Sequence, residues 1–231
     1  MNVTAKSSQK VDEREGSGKR LLKPWLVRAR RLLFTHRLEV GLGVTAVVAP
    51  FVRPTIATKP LDIFFKAVGL GLVLTGLGVR ACAAGFAGRH TRSQNIEGGQ
   101  LATAGPYAYV RNPIYFGSII LGFGMVLLIG DRRLLLPCAL VFLALYLGLI
   151  SAEEEFLSHK FKWAYDDYRQ HVPRLWPRFT AWSEAVKTKF DWPAVGGEWR
   201  LSLILALIWG GFRAVAAFRD RQATNLKTLP R

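Results

Sequence analysis

The chain has 231 residues, half of them hydrophobic, with 32 Lys and Arg against 16 Asp and Glu and a formal charge of +16. Seven Trp and fourteen Phe exclude a disordered basic protein, which would be poor in such residues, and long uncharged runs exclude an ordinary soluble domain. The two cysteines, Cys82 and Cys138, lie inside apolar runs without any CxxC or His/Cys cluster, which argues against a disulfide framework or a structural zinc.

Residues 1–20 are polar and charged, without periodic apolar positions, and read as a disordered tail; the apolar core of a secretory signal is missing. From 21 to 37 the chain mixes Trp25, Leu26, Leu32, Leu33 and Phe34 with Lys23, Arg28, Arg30 and Arg31. That is the composition of an amphipathic helix on an anionic membrane surface. Four apolar segments follow, over 38–52, 61–87, 114–130 and 134–152, the last two uncharged and joined by Asp131-Arg132-Arg133. A bilayer crossing takes about 20 apolar residues, and a soluble bundle would show polar residues at every turn. The pattern predicts an all-α, polytopic membrane helical bundle of about four transmembrane helices, the last two in a tight hairpin. Gly69, Gly71, Gly76 and Gly78 in the second segment permit close helix approach. The apolar stretch 201–212 is shorter and ends at Arg213, so it is expected to be re-entrant or interfacial.

Basic residues set the expected orientation. Residues 1–37 carry ten Lys and Arg, 80–112 four and 153–200 eight, whereas Arg53/Lys59 and Arg132/Arg133 are the basic residues of the two opposite connections. This bias places the N-terminus and the 80–112 loop on the cytoplasmic side. The expected organisation is a tail and interfacial helix over 1–37, a membrane domain over 38–178, and a C-terminal extension over 179–231.

The loop before the third segment holds the chemistry. Gly105-Pro106 is a turn signal; Asn112 suits an N-cap and Pro113 the first helical position. Arg111 beside a helix N-terminus favours an anion, the carboxylate or phosphate of a small cofactor. Taken singly, each residue has a plain structural role: a helix start, a headgroup contact for Arg111, an aromatic belt for Tyr107, Tyr109 and Tyr115. At the end of the fourth segment, Glu153-Glu154-Glu155 emerges where the hairpin brings Glu153 back near Arg111. Tyr165 and Tyr168 then share a helical face, and Pro173 and Pro177 follow.

Gly105-Pro106-Tyr107, Arg111-Asn112-Pro113-Ile114-Tyr115, the uncharged hairpin, Glu153-Glu154 and the Tyr165/Tyr168–Pro173/Pro177 tail together resemble the isoprenylcysteine carboxyl methyltransferase family, one of the integral-membrane phospholipid methyltransferases. The resemblance covers roughly residues 65–178. It implies S-adenosylmethionine-dependent methyl transfer at the cytoplasmic face to a lipophilic acceptor drawn from the membrane lipids, an isoprenylcysteine-like carboxylate or a lipid headgroup. By position, the cofactor would be bound by Gly99, Gln100, Leu101, Ala102, Tyr107, Asn112, Pro113, Ile114, Tyr115, Glu153 and Glu154, with Arg111 and Glu153 catalytic. Three positions depart from the family: Gly99 and Asn112 stand where it usually has His, and Leu149 where prenylcysteine-methylating members carry a basic residue. Two other readings stay open, an NADPH-dependent sterol-type reductase and a non-catalytic member of the fold. A nucleic-acid partner is disfavoured because the basic charge flanks membrane segments.

Overall fold

A computed structural model describes residues 52–55, 59–88, 101–186 and 188–227, except the side chains of 223–227. The tail, the helix expected over 21–37, the apolar segment 38–52 save Val52, and the site residues Gly99 and Gln100 lie outside the described residues. The chain divides into units 1–42 and 43–231, and all that is described belongs to the second.

Every element among the described residues is helical. Helix α1 spans Pro60–Ala87. A 3-10 turn over Gly105–Ala108 precedes α2, Pro113–Ile129, and a second over Arg132–Leu134 leads into α3, Leu135–Phe161. Helix α4 spans Trp163–His171, the single turn α5 spans Trp192–Val195, and α6 spans Glu198–Lys227. The stretches Pro60–Ala87, Arg132–Phe161 and Trp192–Gln222 are long and apolar enough to cross a membrane. At 17 residues, α2 sits at the short end of the range of about 17–25 for a crossing helix. The protein is a helical membrane bundle.

Helices α1 and α2 form its tightest seam, and glycine permits it. A Cβ on Gly76 would lie 2.6 Å from the Gly117 carbonyl oxygen, and one on Gly69 2.9 Å from that of Gly124. The two pairs run antiparallel and seven residues apart, so they sit on one face of each helix. Gly71 and Gly78 share that spacing but face open space, so half of the expected glycine pattern packs. Gly76→Val is therefore expected to lower stability by about 3 kcal/mol through overpacking. Gly71→Ala is expected to raise it by about 1 kcal/mol through helix propensity. Thermal unfolding in detergent distinguishes the two, and equal effects would refute this seam.

The turn between α2 and α3 is fixed by Asp131, which is buried and accepts from Arg133 Nε and Nη2 at 2.9 Å each and from the Arg53 amide at 2.8 Å. The Arg133 side chain foremost, helped by the Arg53 amide, holds the Asp131 carboxyl below its usual range despite burial. Beyond the turn α3 is splayed, and Ile150 is its sole buried residue. It meets the start and middle of α2 through the Phe142 ring against Gly122, the Tyr146 ring 5.6 Å from that of Tyr115, and Glu154 at Asn112.

The stretch 201–212 lies within helix α6. The helix runs unbroken for 30 residues, so it does not double back. Leu201, Leu205 and Ile208 pack on the core of Val73, Leu121 and Met125. Glu198 meets Arg80 towards one end of α1, and Arg219 Nη1 reaches the Val52 carbonyl at 3.4 Å beyond the other. The helix continues past Arg213 because its long basic side chains find partners: Arg213 lies over the Trp209 ring, 6.0 Å from the centroid.

Candidate functional site

The loop from Thr103 to Arg111 is held by the chain that returns after α4. Arg111 N donates to the Pro173 carbonyl at 2.9 Å, and Arg178 N and Trp182 N donate to Tyr109 and Ala108 carbonyls at 3.0 Å. Val186 N donates to Thr103 Oγ1 at 2.9 Å. Gly105 turns the loop with φ of 59°, against the Phe86 ring, so the expected turn is present and no larger residue fits it. The loop thereby delivers Arg111 and Asn112 to the start of α2.

Pro113 does occupy the first turn of α2, with Asn112 at the N-cap position, but Asn112 makes no side-chain cap. Its buried side chain instead donates from Nδ2 to Glu154 Oε1 and to the Arg174 carbonyl, each at 3.0 Å. Glu154, from α3, is the centre of the cluster. Arg111 Nη2 lies 3.4 Å from Oε1, and Arg174 Nε 3.1 Å from Oε2, the latter an ion pair without hydrogen-bond alignment. Arg174 Nη2 also donates to Ser151 Oγ at 2.7 Å, and Arg111 Nη1 contacts the Arg169 carbonyl at 3.4 Å. Two guanidiniums thus share one carboxylate, which leaves the cluster net positive. A polar cleft of about 320 Å³ opens beside it, lined by Ser151, Glu154, Glu155, Ser158, Arg169 and Arg174 among others.

Beneath the cluster Tyr165, Tyr168 and Val172 are buried against Leu101, Leu157, Phe161 and Trp182. Tyr168 Oη donates to the Tyr107 carbonyl at 2.7 Å. Tyr165 Oη and Arg111 Nε are buried without a hydrogen-bond partner among the described residues. Burial, then the nearby Glu154 charge, pushes the Tyr165 hydroxyl far above its ordinary value, and burial does the same for Tyr168. Both stay neutral donors at any physiological pH.

Among the sequence-derived candidates, Arg111, Asn112 and Glu154 meet directly. Leu101 packs under them, Tyr107 contributes its carbonyl, and Pro113 is buried at the helix start. Tyr115 turns to Tyr146 on α3, and the Ile114 carbonyl lies 3.5 Å from Arg80 Nη1. Ala102 and Glu153 are half-buried; it is Glu154, not Glu153, that faces Arg111 and Arg174. Arg174 and Ser151 are not among the sequence-derived candidates. The signal for Arg174 lay in a lone basic residue between Pro173 and Pro177, where the chain is forced to turn back.

An unpartnered buried hydroxyl costs about 1–3 kcal/mol. Tyr165→Phe is accordingly expected to raise the melting point of the ligand-free protein, by about 1 kcal/mol in stability, whereas Tyr168→Phe loses about 1 kcal/mol with its hydrogen bond. A destabilised Tyr165→Phe would show that its hydroxyl has a protein partner and is not held for a ligand.

Three comparisons bear on this arrangement. The phospholipid methyltransferase family matches residues 64–164. Protein-S-isoprenylcysteine O-methyltransferase of Schizosaccharomyces pombe (strain 972 / ATCC 24843) is 32% identical over 140 residues, 59% of each chain. The nickel-cobalt-cadmium resistance protein NccN of Alcaligenes xylosoxydans xylosoxydans is 29% identical over 111 residues, 48% of each chain. The cobalt-zinc-cadmium resistance protein CzcN of Cupriavidus metallidurans is 27% identical over the same length, again 48% of each. The chain spans about half the length of these curated relatives. No solved structure matches. Among the described residues no group of three or more His, Cys, Asp or Glu could hold a metal ion. The resemblance carried by the loop and hairpin motifs agrees with these matches: the segment 64–164, with most of α1 and all of α2 and α3, is similar to the phospholipid methyltransferase family.

Proposed function

We propose that the chain is an S-adenosylmethionine-dependent methyltransferase acting on a lipophilic acceptor, an isoprenylcysteine-like carboxylate or a lipid headgroup, at the cytoplasmic face of the membrane. The observation that carries this reading is the convergence of Arg111, Asn112, Glu154 and Arg174 over two buried donors, Arg111 Nε and Tyr165 Oη, that have no hydrogen-bond partner among the described residues. Those two donors suit the carboxylate of the cofactor's amino-acid part, and the acidic pair with the tyrosine faces suits its cationic part. Bound, the cofactor supplies an electrophilic methyl group. What the protein adds is placement and exclusion of water from a cleft between helix ends.

Asn112 is a positioning residue here: it links Glu154 to the returning chain and cannot carry a proton away near neutral pH. The acceptor must therefore arrive as a competent nucleophile, an ionised carboxylate or a free amine. A basic residue is missing from 134 to 155, yet Arg174 reaches Ser151 from the returning segment and puts a guanidinium beside that stretch. This supports a carboxylate acceptor, as does the likeness to a protein named an isoprenylcysteine O-methyltransferase. The cytoplasmic assignment rests on the 22 basic residues of the regions 1–37, 80–112 and 153–200.

The test is calorimetry of S-adenosylhomocysteine binding to the purified full chain, followed by labelled S-adenosylmethionine with a total lipid extract. Binding and a labelled lipid are expected. Binding of NADPH with none of S-adenosylhomocysteine would replace this reading with a reductase.

A further inference from the structure

At the end of the bundle away from Glu154, α1, α2 and α6 enclose a second groove of about 390 Å³. Its walls are apolar: Ile63 and Leu70 from α1, Leu128 from α2 and Trp209 from α6. Ile63, Leu70 and Trp209 are more than a third exposed, so the groove opens sideways, towards lipid. Lys66 and Arg213 also line it, from facing helices.

Neither cation meets a carboxylate at ion-pair distance among the described residues. Lys66 donates to the Thr55 carbonyl, and Arg213 has the Trp209 ring. The nearest acid on α1, Asp62, bears on Lys66 but is bound to Arg132 at 3.1 Å, and Asp131 is taken by Arg133. Two like charges therefore face one cavity in a membrane-spanning bundle, where an uncompensated charge is costly. An anion between them removes that cost, and the apolar walls continue from it as a track for acyl chains.

We infer that this groove binds an anionic phospholipid, its phosphate bridging Lys66 and Arg213 and an acyl chain lying along Leu70, Leu128 and Trp209. Basic pockets between transmembrane helices are recognised sites for acidic headgroups. Charge complementarity selects the occupant: a zwitterionic lipid brings its own cation next to two others. The inference stands apart from methyl transfer, since the groove shares no residue with the Glu154 cluster.

Native mass spectrometry of the full chain in detergent, titrated with phosphatidylglycerol or phosphatidylcholine of identical chains, tests it. Phosphatidylglycerol adducts are expected to form at lower concentration, with affinity falling about fivefold for Lys66→Gln or Arg213→Gln. Lys66→Arg is expected to retain the preference, and Leu70→Trp, which fills the groove but keeps both charges, to abolish adducts of both lipids. Thermal melts confirm that each variant is folded; for an unfolded single-site variant, Leu70→Trp and Lys66→Arg decide. Equal binding of the two lipids, adducts unaffected by either charge removal, or a groove that takes neither lipid because chain already fills it would each overturn the inference.

Discussion

Glu154→Gln is expected to cost about 3 kcal/mol of stability and to weaken S-adenosylhomocysteine binding at least about tenfold. The size follows from what the carboxylate neutralises. Arg111 and Glu154 side chains are 10% and 15% exposed, and Arg174 is about a third exposed. Without the charge, two guanidiniums face one another over Asn112. Glu153→Gln, one residue earlier and not in contact with Arg111 or Arg174 among the described residues, is expected to lose less of both. Melting curves and calorimetry on the two variants measure this. If Glu153→Gln proves the more damaging, the centre of the site lies at Glu153, as the sequence alone had it.

The second large effect concerns the ion pair that joins three helices. Arg80 Nε and Nη2 donate to Glu198 Oε2 and Oε1 at 2.9 and 3.2 Å, while Arg80 Nη1 donates to Ser118 Oγ on α2. The side chains are 17% and 9% exposed, so removing one partner strands a buried charge. Glu198→Ala should cost about 3–5 kcal/mol, and the double variant Arg80→Leu, Glu198→Leu should recover most of it. Tryptophan fluorescence melts of the single and double variants decide this. A double variant as unstable as the single one would mean that the hydrogen bonds of Arg80 to α2, not the pair with Glu198, hold the bundle.

What the sequence disclosed was local. Gly105-Pro106 had to turn, Pro113 had to begin a helix, and uncharged runs had to be buried in lipid or protein. Register between helices was not local. Gly69/Gly76 and Gly71/Gly78 have the same spacing, and the facing Gly117 and Gly124 decide which pair packs. Glu153 and Glu154 differ by about 100° around α3, so the rotation of α3 about its axis, which only packing fixes, settles which one meets Arg111. Arg174 reaches the cluster through the reversal of α4, a tertiary event with no periodic signature. Asn112 reads as a cap because Asn commonly caps; a carboxylate and a carbonyl within reach of its amide drew the side chain elsewhere. The unbroken α6 was hidden by Arg213, which reads as the end of an apolar run until its ring partner is seen.

The unequal seams of the bundle have a mechanical meaning. α1 and α2, locked backbone to backbone, behave as a post, and α3 as a lever pinned to it at the Asp131 turn and at Glu154. Between those pins one narrow stripe of rings keeps the lever seated. The ion cluster is both the candidate site and the joint that holds α3 to the start of α2, so a change that loosens one loosens the other.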